Sequence, residues 1–111
     1  MATYPTARVS ELCEAIGEGG PPAVLDVRQP QEWSDEGRIA WSRTLFVGHL
    51  PQRLGEIPSD HEVWTICRSG HRAAIAASLL DRAGIPVRVV FDGGVPDLLR
   101  TCEPLVAGGR A

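Results

Sequence analysis

Three short runs of apolar, largely β-branched residues punctuate the chain: Ala23-Val24-Leu25-Asp26-Val27, Glu62-Val63-Trp64-Thr65-Ile66, and Val87 to Phe91. Each is too short for a buried helix and has the composition of a strand covered on both faces. Stretches with helical spacing lie between them. Strands that alternate with helices specify an α/β fold, with a mostly parallel sheet and right-handed crossovers.

The helical stretches carry their own start and stop signals. Ser10 suits an N-cap and Glu11 a first turn, Leu12, Ala15 and Ile16 follow at helical spacing, and Gly17 ends the segment. Pro30 fits the first turn of a second helix, through Glu32 and Trp33 to about Gly37. A third runs from Arg72 to Ala83, where Ile75 and Leu79, and Ala76 and Leu80, lie one turn apart; Gly84 and Pro86 stop it. Residues 41–45 suggest a short strand, Val47 to Leu54 one or two helical turns, and Val95 to Arg100 a final helix. Gly19 to Pro22 and Asp92-Gly93-Gly94 read as turns. With 111 residues, no repeat and no linker, the chain is expected to form one domain over residues 1–111, with its core at about 8–100 and a flexible tail at 107–111.

Bulk properties exclude several classes. Apolar residues at 43% and charged residues at 23% argue against disorder. A net charge of -3 gives no basic footprint for nucleic acid, and no apolar run approaches a membrane span, so neither nucleic acid nor membrane is an expected partner. The first residues, MATYPTARVSEL, lack the features of a signal peptide. Three cysteines, an odd number, do not suggest a disulfide framework. The expectation is therefore a cytoplasmic protein, with Cys13 and Cys102 as buried or idle thiols, against the alternative that either, if close in space, forms a disulfide with Cys67.

The remaining cysteine stands where chemistry is possible. Cys67-Arg68-Ser69-Gly70-His71-Arg72 joins the end of a strand to the start of a helix. In an open α/β sheet, ligands bind beyond the carboxyl ends of the strands. Backbone N–H groups that open a helix lack helical partners, and turned around a sulfur they make a concave anion site. Such a cradle favours the thiolate, and the flanking Arg68 and Arg72 add to it. Gly70 lets the loop curl, Ser69 offers a hydroxyl, and His71 is placed either to orient a substrate or to face water. Cys67 is thus the candidate nucleophile.

This loop resembles the active-site loop of the rhodanese family, whose pattern is cysteine, two residues, glycine, one residue, arginine. Val24-Leu25-Asp26-Val27-Arg28 with Glu32-Trp33 resembles the family's first core strand and Asp-x-Arg segment. Gly37-Arg38-Ile39-Ala40 stands where Gly-His-Ile-Pro is usual, and Gly93-Gly94 resembles a closing Gly-Gly turn. The resemblance implies a three-layer rhodanese-like domain, with a five-stranded mostly parallel sheet flanked by helices. It implies that Cys67 takes sulfur from a small anionic donor such as thiosulfate, and that its persulfide passes the sulfur to a thiol or a protein acceptor. It also implies that Asp26, Arg28 and Glu32 support the loop, against the plainer reading of a structural ion pair. Arg38, Ala40, Trp41, Ser42, Phe46 and Leu98 depart from the family pattern and bear on the shape of the pocket wall.

Three other readings compete. Tyrosine phosphatases and arsenate reductases place five residues between cysteine and arginine; here there are four, a smaller cradle that suits one sulfur better than a tetrahedral oxyanion. A non-catalytic binding or sulfur-relay module would keep the fold for partner contacts. A metal site would use Cys67 and His71, but these straddle a loop, and Cys13, Cys102, His49 and His61 show no paired ligand spacing. Neither a metal nor a cofactor is expected.

Overall fold

The computed structural model describes residues 5–18, 22–39 and 41–102. The turn residues 19–21, the departure at Ala40 and the tail at 107–111 lie outside the described residues. Among the described residues there are five strands: β1 (Thr6–Ala7), β2 (Ala23–Asp26), β3 (Arg43–Thr44), β4 (Val63–Ile66) and β5 (Val87–Val90). They form one sheet in the order β1-β5-β4-β2-β3, and all four pairings are parallel. The helices are α1 (Val9–Gly17), α2 (Pro30–Glu36), α3 (Leu50–Arg53), α4 (His71–Arg82) and α5 (Val95–Thr101), with single 3₁₀ turns at Val47–His49 and Leu54–Glu56.

Alternation along the strands sorts the core into two layers. Leu25, Val63, Val87 and Val89 point to one face, where Leu50, Ala73, Ala76, Ala77 and Leu80 cover them. Val24, Ile66 and Val90 point to the other, against Leu12, Ile39, Val95 and Leu98. Cys67 belongs to the first face, on the side of α4. The alanine stripe of α4 lets that helix lie close to the sheet, and Thr65 donates its buried hydroxyl to the Ala73 carbonyl at 2.9 Å. Ile75 is exposed; the buried stripe of α4 is 73-76-77-80.

Three helix starts share one device. The carboxylates of Glu11, Glu32 and Asp97 each accept the N–H three residues back, at Arg8, Gln29 and Gly94. Val9, not Ser10, begins α1, and the Asp92 carboxylate accepts its N–H at 2.8 Å. The strand β1 has no counterpart among the runs found in the sequence. Two residues show no period, and this edge strand is held by Pro5 and Ala7 carbonyls that accept N–H bonds from Val89 and Phe91.

Cys13 and Cys102 require a correction. They are not idle thiols but a disulfide that joins α1 to the end of α5, with Cα atoms 5.5 Å apart. Packing of α1 against α5 on one face of the sheet makes partners of residues 89 positions apart, a relation that spacing alone does not reveal. With two of the three cysteines paired, the odd cysteine count gives no ground for a reducing compartment. Among the described residues, no helix is long and apolar enough to cross a membrane.

Candidate active site

From β2 the chain passes to β3 on one side, and from β4 it passes to β5 on the other. The loops after β2 and β4 therefore diverge, and a crevice opens between them at the carboxyl end of the sheet. Arg28 follows β2 and Cys67 follows β4, the central strand.

The loop closes around the Cys67 sulfur. The Gly70 N–H donates to Sγ at 3.0 Å and the Ala73 N–H at 3.4 Å. Both belong to the opening turn of α4, where the backbone has no helical carbonyl to bond. Gly70 adopts φ 101°, the left-handed region, and a Cβ there would press on the Phe91 backbone. Conformation and close approach thus both require glycine at this position. From below, the Val95 N–H donates to the Cys67 carbonyl at 2.9 Å. Gly94 makes this approach possible, because a Cβ on it would overlap the Cys67 and Arg68 carbonyls. Cys67 itself is fully buried, while Arg68, Ser69 and His71 are exposed around it.

Three guanidinium groups and three carboxylates brace this loop. Arg28 has no exposed surface; it donates to Asp26 through Nε at 3.0 Å and through a terminal nitrogen at 2.9 Å, and to the Gly37 carbonyl at 2.7 Å. Arg72 donates to both oxygens of Glu32, at 2.6 and 2.9 Å. The Arg72 bond holds the Glu32 carboxyl down from 4.5 to about 2, with burial opposing and the Gln29 N–H assisting. The same bond pushes Arg72 up. Arg68 donates to one oxygen of Glu36 at 2.9 Å, and Arg28 reaches the other at 3.4 Å.

The sequence-level candidates thus gather at one place. Cys67 and Gly70 form the cradle, Arg68 and Arg72 reach out from it to α2, and Asp26 and Arg28 sit beneath as a buried pair. His71 and Ser69 stay at the surface, and His49 and His61 are exposed elsewhere. Arg68 and Arg72 are each engaged by a carboxylate, Glu36 and Glu32 respectively. Glu36 was missed in the sequence. Its signal was there: Glu32 and Glu36 lie four apart on α2, the spacing of Arg68 and Arg72. Among the described residues, no group of three or more His, Cys, Asp or Glu side chains is placed to hold a metal ion.

The Rhodanese-like domain family model matches residues 9–100, from α1 through the cradle to α5. The chain belongs to the rhodanese-like family. It is 33% identical over 96 residues to a protein of Allochromatium vinosum named sulfurtransferase, covering 86% of this chain and 89% of that one. Over 98 residues it is 26% identical to the Mycobacterium tuberculosis protein named probable adenylyltransferase/sulfurtransferase MoeZ, covering 85% of this chain but 24% of that longer protein. A solved structure from Staphylococcus saprophyticus, 28% identical, superposes with a TM-score of 0.78 over 85% of this chain and 92% of its own. In this rhodanese-like chain, the cradle and its braces occupy the carboxyl end of the sheet.

Proposed function

We propose that this protein is a rhodanese-type sulfurtransferase that moves sulfane sulfur from a donor such as thiosulfate to a thiophilic acceptor through a persulfide on Cys67. The observation that carries this reading is the pair of N–H groups aimed at Sγ. Two relatives named as sulfurtransferases support it.

The reaction has two halves. The Cys67 thiolate attacks the outer sulfur of thiosulfate; a new S–S bond forms, the old one breaks, and sulfite leaves with the electron pair. Cys67 then carries a terminal persulfide sulfur with its negative charge, close to the amides that open α4. An acceptor thiolate attacks that terminal sulfur, the persulfide bond breaks, and the Cys67 thiolate returns with the electron pair. Because Sγ is enclosed in the resting structure, each half requires the exposed part of the loop, Arg68 and Ser69, to give way. Asp26, Arg28, Glu32 and Arg72 keep the rest of the loop in place; Ser69 and His71 face the incoming donor. The same enclosure is the observation that favours a second reading, a sulfur-relay or binding module in which only a docked partner opens the loop.

The test is intact-protein mass after incubation with thiosulfate, beside Cys67→Ser. A gain of about 32 Da on the native protein alone, removed by reductant, is expected. No gain with thiosulfate or with a persulfide donor would transfer the assignment to the binding module.

A further inference from the structure

The electrostatics of the site leave one residue without a role in that scheme. Glu36 sits one turn beyond Glu32 on α2 and divides its two oxygens between Arg68 and the buried Arg28. Arg68 is the one loop guanidinium with most of its surface in water, 59% for the side chain, so it is the cation an incoming donor meets first. With Glu36 in place, that cation is already matched. Asp26, Glu32 and Glu36 balance Arg28, Arg68 and Arg72, so the braces add no net charge to the crevice. Asp92 and Asp97, next along the chain from β5, turn their carboxylates to the N–H groups of Val9 and Gly94. A dianionic donor therefore gains no surplus positive charge from the brace side chains to offset its repulsion by the thiolate, and only the loop amides face it from the cradle.

We infer that Glu36 is a positioning residue that sets donor specificity: by holding Arg68, it biases Cys67 towards sulfane sulfur carried on a weakly charged thiol and against dianionic donors. The inference rests on the sulfurtransferase reading above and deepens it. Glu36 acts through Arg68, and a strongly anionic donor must displace its carboxylate to use that guanidinium. Replacing one oxygen of the carboxylate by an amide keeps the shape but removes the charge, and leaves a single acceptor oxygen for two guanidinium groups.

The experiment compares thiosulfate with cysteamine persulfide, whose ammonium and persulfide charges cancel, on the wild type, Glu36→Gln and Glu36→Asp. Glu36→Gln should raise kcat/KM for thiosulfate roughly five- to tenfold at low ionic strength, through KM rather than kcat, and change the neutral donor less than about twofold. Added salt should erase the gain, and Glu36→Asp, which keeps the charge, should retain the wild-type preference. On the wild type alone, thiosulfate turnover should hold steady or rise with salt; a steep fall would mean that Arg68 is free to attract the donor and would overturn the inference. Persulfide loading of the wild type with an unchanged donor ratio in Glu36→Gln would overturn the inference and leave the sulfurtransferase standing. A wild type that loads from neither donor would sink both.

Discussion

Glu32 and Arg72, forty positions apart in the sequence, meet through two parallel hydrogen bonds of 2.6 and 2.9 Å. This fork–fork geometry is the most directional form of ion pair available to side chains. It joins the first turn of α2 to the first turn of α4. One helical turn further along α2, Glu36 meets Arg68, so the two pairs together hold the loop in register with α2.

The pair predicts how stability responds to acid. The folded Glu32 carboxyl lies at about 2 against an ordinary 4.5. A depressed carboxyl contributes stability that is fully present above the unfolded value and fades as pH falls towards the folded one. Glu32→Gln should therefore cost roughly 2 kcal/mol near neutrality, allowing for partial solvent screening. Urea midpoints of the two proteins should converge between about pH 4.5 and about pH 2. A gap that stays constant through that window would show that Glu32 acts by packing and not by charge.

Arg28 offers a harsher test, because it has no access to water at all. Truncating one partner of a buried pair leaves the other charge uncompensated, at about 3–5 kcal/mol. Arg28→Met should approach that loss in chemical denaturation, since Asp26 would stay buried beneath the loop. Adding Asp26→Asn should recover part of the loss; if the double variant is no better than the single one, the pair is not the source.

At Gly94 the prediction is steric. Gly94 has an extended backbone that any residue adopts, so its glycine is required only by the space the Cys67 and Arg68 carbonyls occupy. Gly94→Ala should push α5 away from the loop, cost about 1–3 kcal/mol, and slow persulfide formation on Cys67 at least tenfold. A variant that loses stability without losing rate would separate the support of α5 from the chemistry of the cradle.

The disulfide between Cys13 and Cys102 closes a long loop, and its value grows with loop length by chain entropy. Reduction, or the pair Cys13→Ser with Cys102→Ser, should remove about 2–4 kcal/mol and lower Tm by roughly 10 °C. The comparison is a thermal melt with and without reductant on the Cys67→Ser background, so that no other thiol contributes. Equal melts would mean that the bond adds nothing to the fold.

How far the sequence could be read depended on whether a feature was local. The strands at 23–26, 63–66 and 87–90 declared themselves because a strand buried on both faces must be apolar throughout. The cradle was legible because glycine, cysteine and arginine at close spacing mark one loop. What stayed hidden depends on which parts of the chain meet. Two-residue β1 exists only because β5 offers it an edge. The partner of Cys13 is fixed by the packing of α1 on α5. Neutralisation of Arg68 comes from a helix that begins 38 residues earlier in the numbering, at Pro30, and nothing at position 68 announces it.

Cys13 and Cys102 turn most of the fold into a covalent ring. Among the described residues, β1 and the first turn of α1, Val9–Leu12, stand before it, while the cradle, its braces and the other four strands lie within. A pull on the two ends of the folded chain would peel Thr6–Ala7 from β5 and then load the S–S bond itself. Past that point the covalent bond, and not the sheet around Cys67, bears the main load, so the loop is mechanically shielded from such a pull.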